Sequence, residues 1–263
     1  MSPALPAYAE LHCLSNFSFL RGASHPEELI ARAQELSYSA LALTDECSFA
    51  GVVRAHVAAK ECGLPLIIGS EIRLDHGPKL VLLATDREGY GNLAELITRG
   101  RRRSAKGRYL LETRDLEQGL PGCLALLLPG VEPDVGEARW LAERFAGRAW
   151  IAVELLYGPD DRARLTALRE LGRACGLPLV AAGDVHMHLR SRRRLQDTLT
   201  AIRLCKPLAQ CGQALYPNAE RHLRSRLRLA NLYPRELLAE TLRVAARCSF
   251  SLDCRRAALW RQR

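Results

Sequence analysis

Seven short apolar segments, separated by stretches of helical periodicity, constrain this chain more than any other feature. They are residues 8–14, Ala40–Leu43, Leu66–Ile72, Lys79–Ala84, Cys123–Leu128, Trp150–Leu155 and Leu179–Ala182. Each is too short for a helix of its own and rich enough in aliphatic residues to be buried on both faces, which predicts strands of a largely covered sheet. The intervening patterns predict helices. One is N-capped by Ser24 with Pro26 in its first turn and Leu29, Ile30, Ala33 and Leu36 on one face; others run over about 52–61, ended by Gly63, then 90–99, 137–145, 161–175, 191–204 and 234–248. Strand and helix in regular succession are the signature of parallel β-α units, and seven such units favour a barrel-like closure over an open sheet. No Gly-rich loop follows the first strand, which excludes a dinucleotide fingerprint and a P-loop.

The chain has 263 residues, 48% hydrophobic and 25% charged, enough to bury a substantial core in one large α/β domain. The first twenty residues lack a signal-like apolar run, and the longest such run, Cys123–Leu128, is far too short to span a bilayer. These features predict a cytoplasmic protein with no membrane partner. Nine cysteines without a C-x-x-C pair fit neither a zinc ribbon nor a disulfide framework. The net charge of +9 is concentrated in three clusters: Arg99, Arg101, Arg102, Arg103, Lys106 and Arg108; Arg190, Arg192, Arg193 and Arg194; and Arg221, Arg224, Arg226 and Arg228. Such density suits the phosphates of a nucleic acid, with Arg101, Arg102, Arg103, Arg192, Arg193 and Arg194 as the candidate contacts. Solvated helix faces account for it equally well, because no aromatic residues are interleaved to stack on bases.

At Gly183 the chain leaves its last predicted strand, and in an extended exit Asp184 and His186 lie two apart on one side. His12, Asp45, Glu46 and Glu71 also lie at or just past the ends of predicted strands, which converge on one face of a barrel. Imidazole and carboxylate donors gathered there suit zinc or manganese, either of which activates water for attack on a phosphate ester. The alternative is a set of unrelated turn and cap residues.

The segments Glu10-Leu11-His12-Cys13-Leu14-Ser15-Asn16-Phe17-Ser18, Ala42-Leu43-Thr44-Asp45, Ile68-Gly69-Ser70-Glu71, Leu80–Ala84 and Ala182-Gly183-Asp184-Val185-His186 resemble, in order and spacing, the PHP (polymerase and histidinol phosphatase) domain. Ala181 to Arg194 and Tyr216–Arg224 are similar more narrowly to the PHP region of bacterial error-prone DNA polymerases, relatives of the polymerase III alpha subunit. The resemblance covers residues 8–253 and implies a distorted (β/α)7 TIM-like barrel. It also implies a cluster of about three metal ions, for which His12, Glu71, Asp184 and His186 stand at ligand positions and Glu46 at a marginal one. Five positions depart from the family pattern: Leu14 and Glu46 stand where the family has His, Arg21 where it has Asp or His, Lys79 where it has His, and Tyr157 where it has His or Cys.

Arg21 and Lys79 bring positive charge to a place that holds metals in the family, and such groups replace a metal electrostatically by pairing with Glu71 and Asp184. A degenerate metal site with a structural role is therefore expected, with a metal-dependent phosphoesterase or 3′–5′ exonuclease, and a metal-free nucleic-acid or protein binding module, as the competing readings. Residues 1–253 are expected to form the PHP domain and 254–263 an atypical tail, the chain stopping before a polymerase core. The resemblance implies partners in DNA, other polymerase domains and DNA-repair proteins, and a role in damage-induced mutagenic synthesis to which this chain alone contributes no nucleotidyl transfer.

Overall fold

The computed structural model describes residues 5–255, with side chains to residue 253, so the tail expected over 254–263 lies almost entirely outside the described residues. Seven strands form one sheet in sequential order: β1 (Ala9–Cys13), β2 (Ala40–Leu43), β3 (Leu66–Arg73), β4 (Lys79–Ala84), β5 (Cys123–Leu127), β6 (Ala149–Val153) and β7 (Leu179–Ala181). Around them lie α1 (Pro26–Glu35), α2 (Val52–Cys62), α3 (Arg87–Arg102), α4 (Val135–Arg144), α5 (Asp161–Cys175), α6 (Arg193–Leu204), α7 (Arg226–Leu232) and α8 (Arg235–Ala246). The sheet curls into a barrel that closes beyond β7, where Cys13 bridges Val185 and the Leu14 amide donates to the Val185 carbonyl at 2.8 Å.

One expectation fails in direction. β4 runs antiparallel to both β3 and β5, so the seven strands are not seven parallel units. Only residues 74–78 join β3 to β4, too few for a crossover helix, and this stretch forces a hairpin. The reversal places the N-terminal end of β4, Lys79, at the end of the barrel where the parallel strands present their C-termini.

Alternation sorts the strand residues into two apolar layers. Ala9, Leu11, Ala42, Ile67, Val81, Leu83, Leu126, Trp150, Ala152 and Val180 fill the barrel. Leu41, Leu43, Ile68, Leu82, Ala125, Ile151 and Ala181 face outward onto helix residues such as Leu29, Ala55, Leu93, Leu141 and Leu168. The seam between β1 and β7 is covered by α8, whose Val244 joins the inner cluster and whose Thr241 hydroxyl accepts the Ala9 amide at 3.1 Å. That bond satisfies an edge donor that would otherwise be buried unpaired. The cap of α1 is His25 rather than Ser24; the Glu28 carboxylate accepts the His25 amide at 2.9 Å, while Ser24 turns inward to His188.

Candidate functional site

The same alternation carries charged side chains to one end of the barrel interior. On β3 the inward series Ile67, Gly69 ends in Glu71; past β6 the series Trp150, Ala152 ends in Glu154; past β7 the series Val180, Ala182 ends in Asp184. On antiparallel β4 the series Leu83, Val81 runs back to Lys79. His12 arrives by another route: the β1–β2 register slips between Glu10 and Cys13, and this irregularity turns the imidazole inward.

His12 is completely buried and faces a carboxylate at each nitrogen, Glu71 Oε2 at 2.8 Å from Nε2 and Glu154 Oε1 at 2.7 Å from Nδ1. Both contacts are hydrogen bonds only if both nitrogens carry protons. Burial alone pulls the imidazole pKa down, but the bonds and charges of Glu154 and Glu71 outweigh it and leave it raised.

Glu71 is 1% exposed and is the hub of the centre. Besides His12 it accepts from Arg21 at 2.5 Å and from Lys79 at 2.8 Å. Burial pushes its carboxyl up; the His12 bond and the Lys79 and Arg21 charges overcome this and hold it well below the usual carboxylate range. Arg21 also donates to Glu46 at 2.5 Å, and Glu46 accepts the Tyr109 hydroxyl at 3.1 Å. Asp184 is paired with the Arg221 guanidinium and lies 3.0 Å from His186 Nε2. The two residues do not meet along an extended exit as the sequence suggests, for Asp184 adopts the left-handed region at φ 45°. Asp tolerates that conformation better than most residues, though at some strain.

Asp45, grouped with the ligands on sequence grounds, has a different task. Its carboxylate accepts the Ser15 and Ser18 amides at 2.7 and 3.2 Å and both hydroxyls at 2.7 Å. Those four bonds fix the tight loop whose end presents Arg21, and Gly22 closes the loop where a Cβ would lie 1.9 Å from the Ser15 carbonyl oxygen. Of the other departures from the family pattern, Leu14 is buried in the wall, and Tyr157 points its hydroxyl at the Arg228 carbonyl, 3.2 Å away. Sequence reasoning missed Glu154, although it continues the alternation of β6, and Arg221, which was absorbed into a basic cluster.

His12, Glu71 and Asp184 bring donor atoms within 4.8 Å of one another, and three such donors are able to hold an ion. Their lone pairs are nevertheless engaged. A doubly bonded His12 is a cation, Glu71 is shared by Arg21, Lys79 and His12, and Asp184 is covered by Arg221. Glu46, Glu71, Glu154 and Asp184 supply four negative charges, matched by Arg21, Lys79, Arg221 and protonated His12. The residues present therefore do not fit a three-metal cluster; the space is neutralised by the chain's own side chains.

His186 is buried edge-on against Tyr216, and burial together with the Arg21 charge holds its pKa well below 6.5. Such a histidine contributes stability that is complete above 6.5 and is lost as pH falls through the depressed value, since the unfolded chain takes up the proton first. His12, raised, contributes with the opposite sign, its share fading as pH rises above 6.5. Replacing His186 by Gln is expected to flatten the acid limb: urea unfolding as the pH is lowered below 6.5 would show the parent losing up to about 1.4 kcal/mol per pH unit more than the variant.

The basic clusters are largely consumed internally. Arg101 donates to the Cys47 and Glu46 carbonyls at 3.0 and 3.1 Å, and Arg103 to Asp115 at 2.6 Å. Arg192 pairs with Glu28, and Arg193 with Asp197 at 2.7 Å. Arg102 and Arg194 are exposed and have no ion pair among the described residues. No helix among those residues is long and apolar enough to cross a membrane.

The PHP domain family model matches residues 10–156. Curated relatives include an error-prone DNA polymerase of Dechloromonas aromatica, 63% identical over 95% of this chain and 25% of the relative. Another, from Pseudomonas aeruginosa, is 59% identical over 95% of this chain and 24% of its own length. The chain thus spans about a quarter of the length of these relatives. A solved structure described as an amidohydrolase from Chromobacterium violaceum, with bound sulfate and no metal, superposes with a TM-score of 0.52 at 18% identity, over 68% of this chain and 88% of that one. That likeness agrees with the distorted barrel. With the matching model over more than half its length and the barrel it implies, the chain belongs to the PHP domain family.

Proposed function

We propose that this chain serves as the PHP region of an error-prone DNA polymerase, with its centre acting as a structural and regulatory element rather than a hydrolytic one. The intact protein then extends DNA from deoxynucleoside triphosphates in damage-induced mutagenic synthesis in the cytoplasm, beside DNA-repair proteins, through sequence that the relatives possess beyond this quarter of their length. The observation that carries the structural reading is that Arg21 and Lys79 stand at two ligand positions and pair with Glu71, while Arg221 covers Asp184. Guanidinium and ammonium groups fixed on carboxylates neutralise the buried charge but generate no nucleophilic hydroxide. Of the six arginines considered for DNA, Arg102 and Arg194 are exposed and without an ion pair among the described residues, which leaves these two for phosphate contacts.

A second reading, a zinc- or manganese-dependent phosphoesterase or exonuclease using His12, Glu71, Asp184 and His186, draws on the convergence of three of those donors. Metal analysis of the purified chain, paired with hydrolysis of a phosphate ester and of a single-stranded DNA end, separates the two. The structural reading expects no stoichiometric metal, no change in melting temperature with EDTA, and no turnover. Bound metal with an activity that Asp184→Ala abolishes would establish the hydrolase instead.

A further inference from the structure

Helix α6 is built inside out. Its buried side carries Gln196, Thr200 and Ala201, whereas Leu195, Leu199 and Ile202, at i, i+4 and i+7, form a stripe on the opposite side. Ile202 is 54% exposed, and Leu195 and Leu199 border a cavity of about 240 Å³ with Leu20, Ala23 and Phe19, the last 81% exposed. A helix that keeps its polar side against the protein and its aliphatic side outward presents a binding face rather than a core face.

On α6 itself the stripe is flanked by a single sign of charge, and Glu28, the acid that lines the cavity, is paired with Arg192. Arg194, Arg203 and Lys206 are exposed, and the one acid of residues 189–206, Asp197, is taken up by Arg193 at 2.7 Å. We propose that this face docks an acidic amphipathic polypeptide segment, its apolar side chains on Leu195, Leu199 and Ile202 with one anchored in the cavity beside Phe19, and its carboxylates on Arg194, Arg203 and Lys206. The charge complementarity selects the partner: an apolar stripe gives a nucleic acid nothing to pair with, and a second copy of α6 would oppose like charges. The three quarters of the relatives' length not represented in this chain is ample source for such a segment.

The test uses the purified chain and a fluorescein-labelled helical peptide with leucines at i, i+4 and i+7 interleaved with glutamates. Saturable binding is expected, weakened about tenfold or more by Ile202→Asp and by Leu195→Asp, with α6 amides protected from hydrogen exchange on binding. Both substituted side chains are surface-exposed, and unchanged circular dichroism and melting temperature confirm that the variants fold. The proposal is overturned if a peptide with lysines for glutamates or a scrambled peptide binds as well, if neither substitution weakens binding, or if the chain instead dimerises through this face in sedimentation.

Discussion

Glu71→Ala is expected to destabilise the chain by about 3–5 kcal/mol, the cost of breaking a buried ion pair from one side. Removing this carboxylate leaves Lys79 without its carboxylate partner, His12 with an unpaired Nε2 and Arg21 held by Glu46 alone, three positive groups converging on the place of a buried carboxylate. The loss is expected to persist in zinc, manganese or EDTA, because it arises from side-chain charge and not from a missing ion. Adding Lys79→Met to Glu71→Ala is expected to recover part of the stability, with a coupling of about 1–3 kcal/mol in a double-mutant cycle. Urea unfolding of the four proteins checks both statements. If EDTA destabilises the parent but has no further effect on Glu71→Ala, the centre is a metal site after all.

How much of this was legible in the sequence depended on whether the signal was local. Each strand is a short aliphatic run, and β2 and β4 lie at the residues the pattern marks. His12, Glu71 and Asp184 were found because ligand-type residues at strand ends are visible one at a time. The reversal of β4 was missed because apolar content is blind to strand direction; only the brevity of residues 74–78 encodes it, and that reversal delivers Lys79. Arg221 lies outside every strand, so its pairing with Asp184 is a product of tertiary folding alone. Asp45 misled for a related reason. A carboxylate past a strand end has the same appearance whether it binds an ion or four donors of a neighbouring loop, and here Ser15 and Ser18 claim it. The inverted face of α6 was in plain sight as Leu195, Leu199 and Ile202, but helical periodicity does not say which side is inward.

The second large effect is expected beneath the centre, at Glu10. This buried carboxylate uses Oε1 to accept the amides of Leu11, His12 and Gly183 at 3.1, 3.0 and 2.9 Å, and Oε2 to accept the Tyr8 hydroxyl at 2.9 Å. One side chain thereby ties the irregularity in β1, which aims His12, to the turn after β7, which aims Asp184. Burial raises its pKa, and the donors from His12, Gly183 and Tyr8 counter that without cancelling it. Glu10→Ala would leave three amides and a hydroxyl buried without partners, and is expected to cost about 3–5 kcal/mol. Glu10→Gln keeps a carbonyl for the amides and is expected to cost about 1–2 kcal/mol. Gly183 provides an independent check, since a Cβ there would lie 2.2 Å from Glu10 Oε2. Gly183→Ala is expected to destabilise by about 1–3 kcal/mol through overpacking, and by much less once Glu10→Ala has removed the obstacle. Additive costs in that cycle would show that the carboxylate does not brace the two strand ends, because only a shared contact makes the second substitution cheaper than the first.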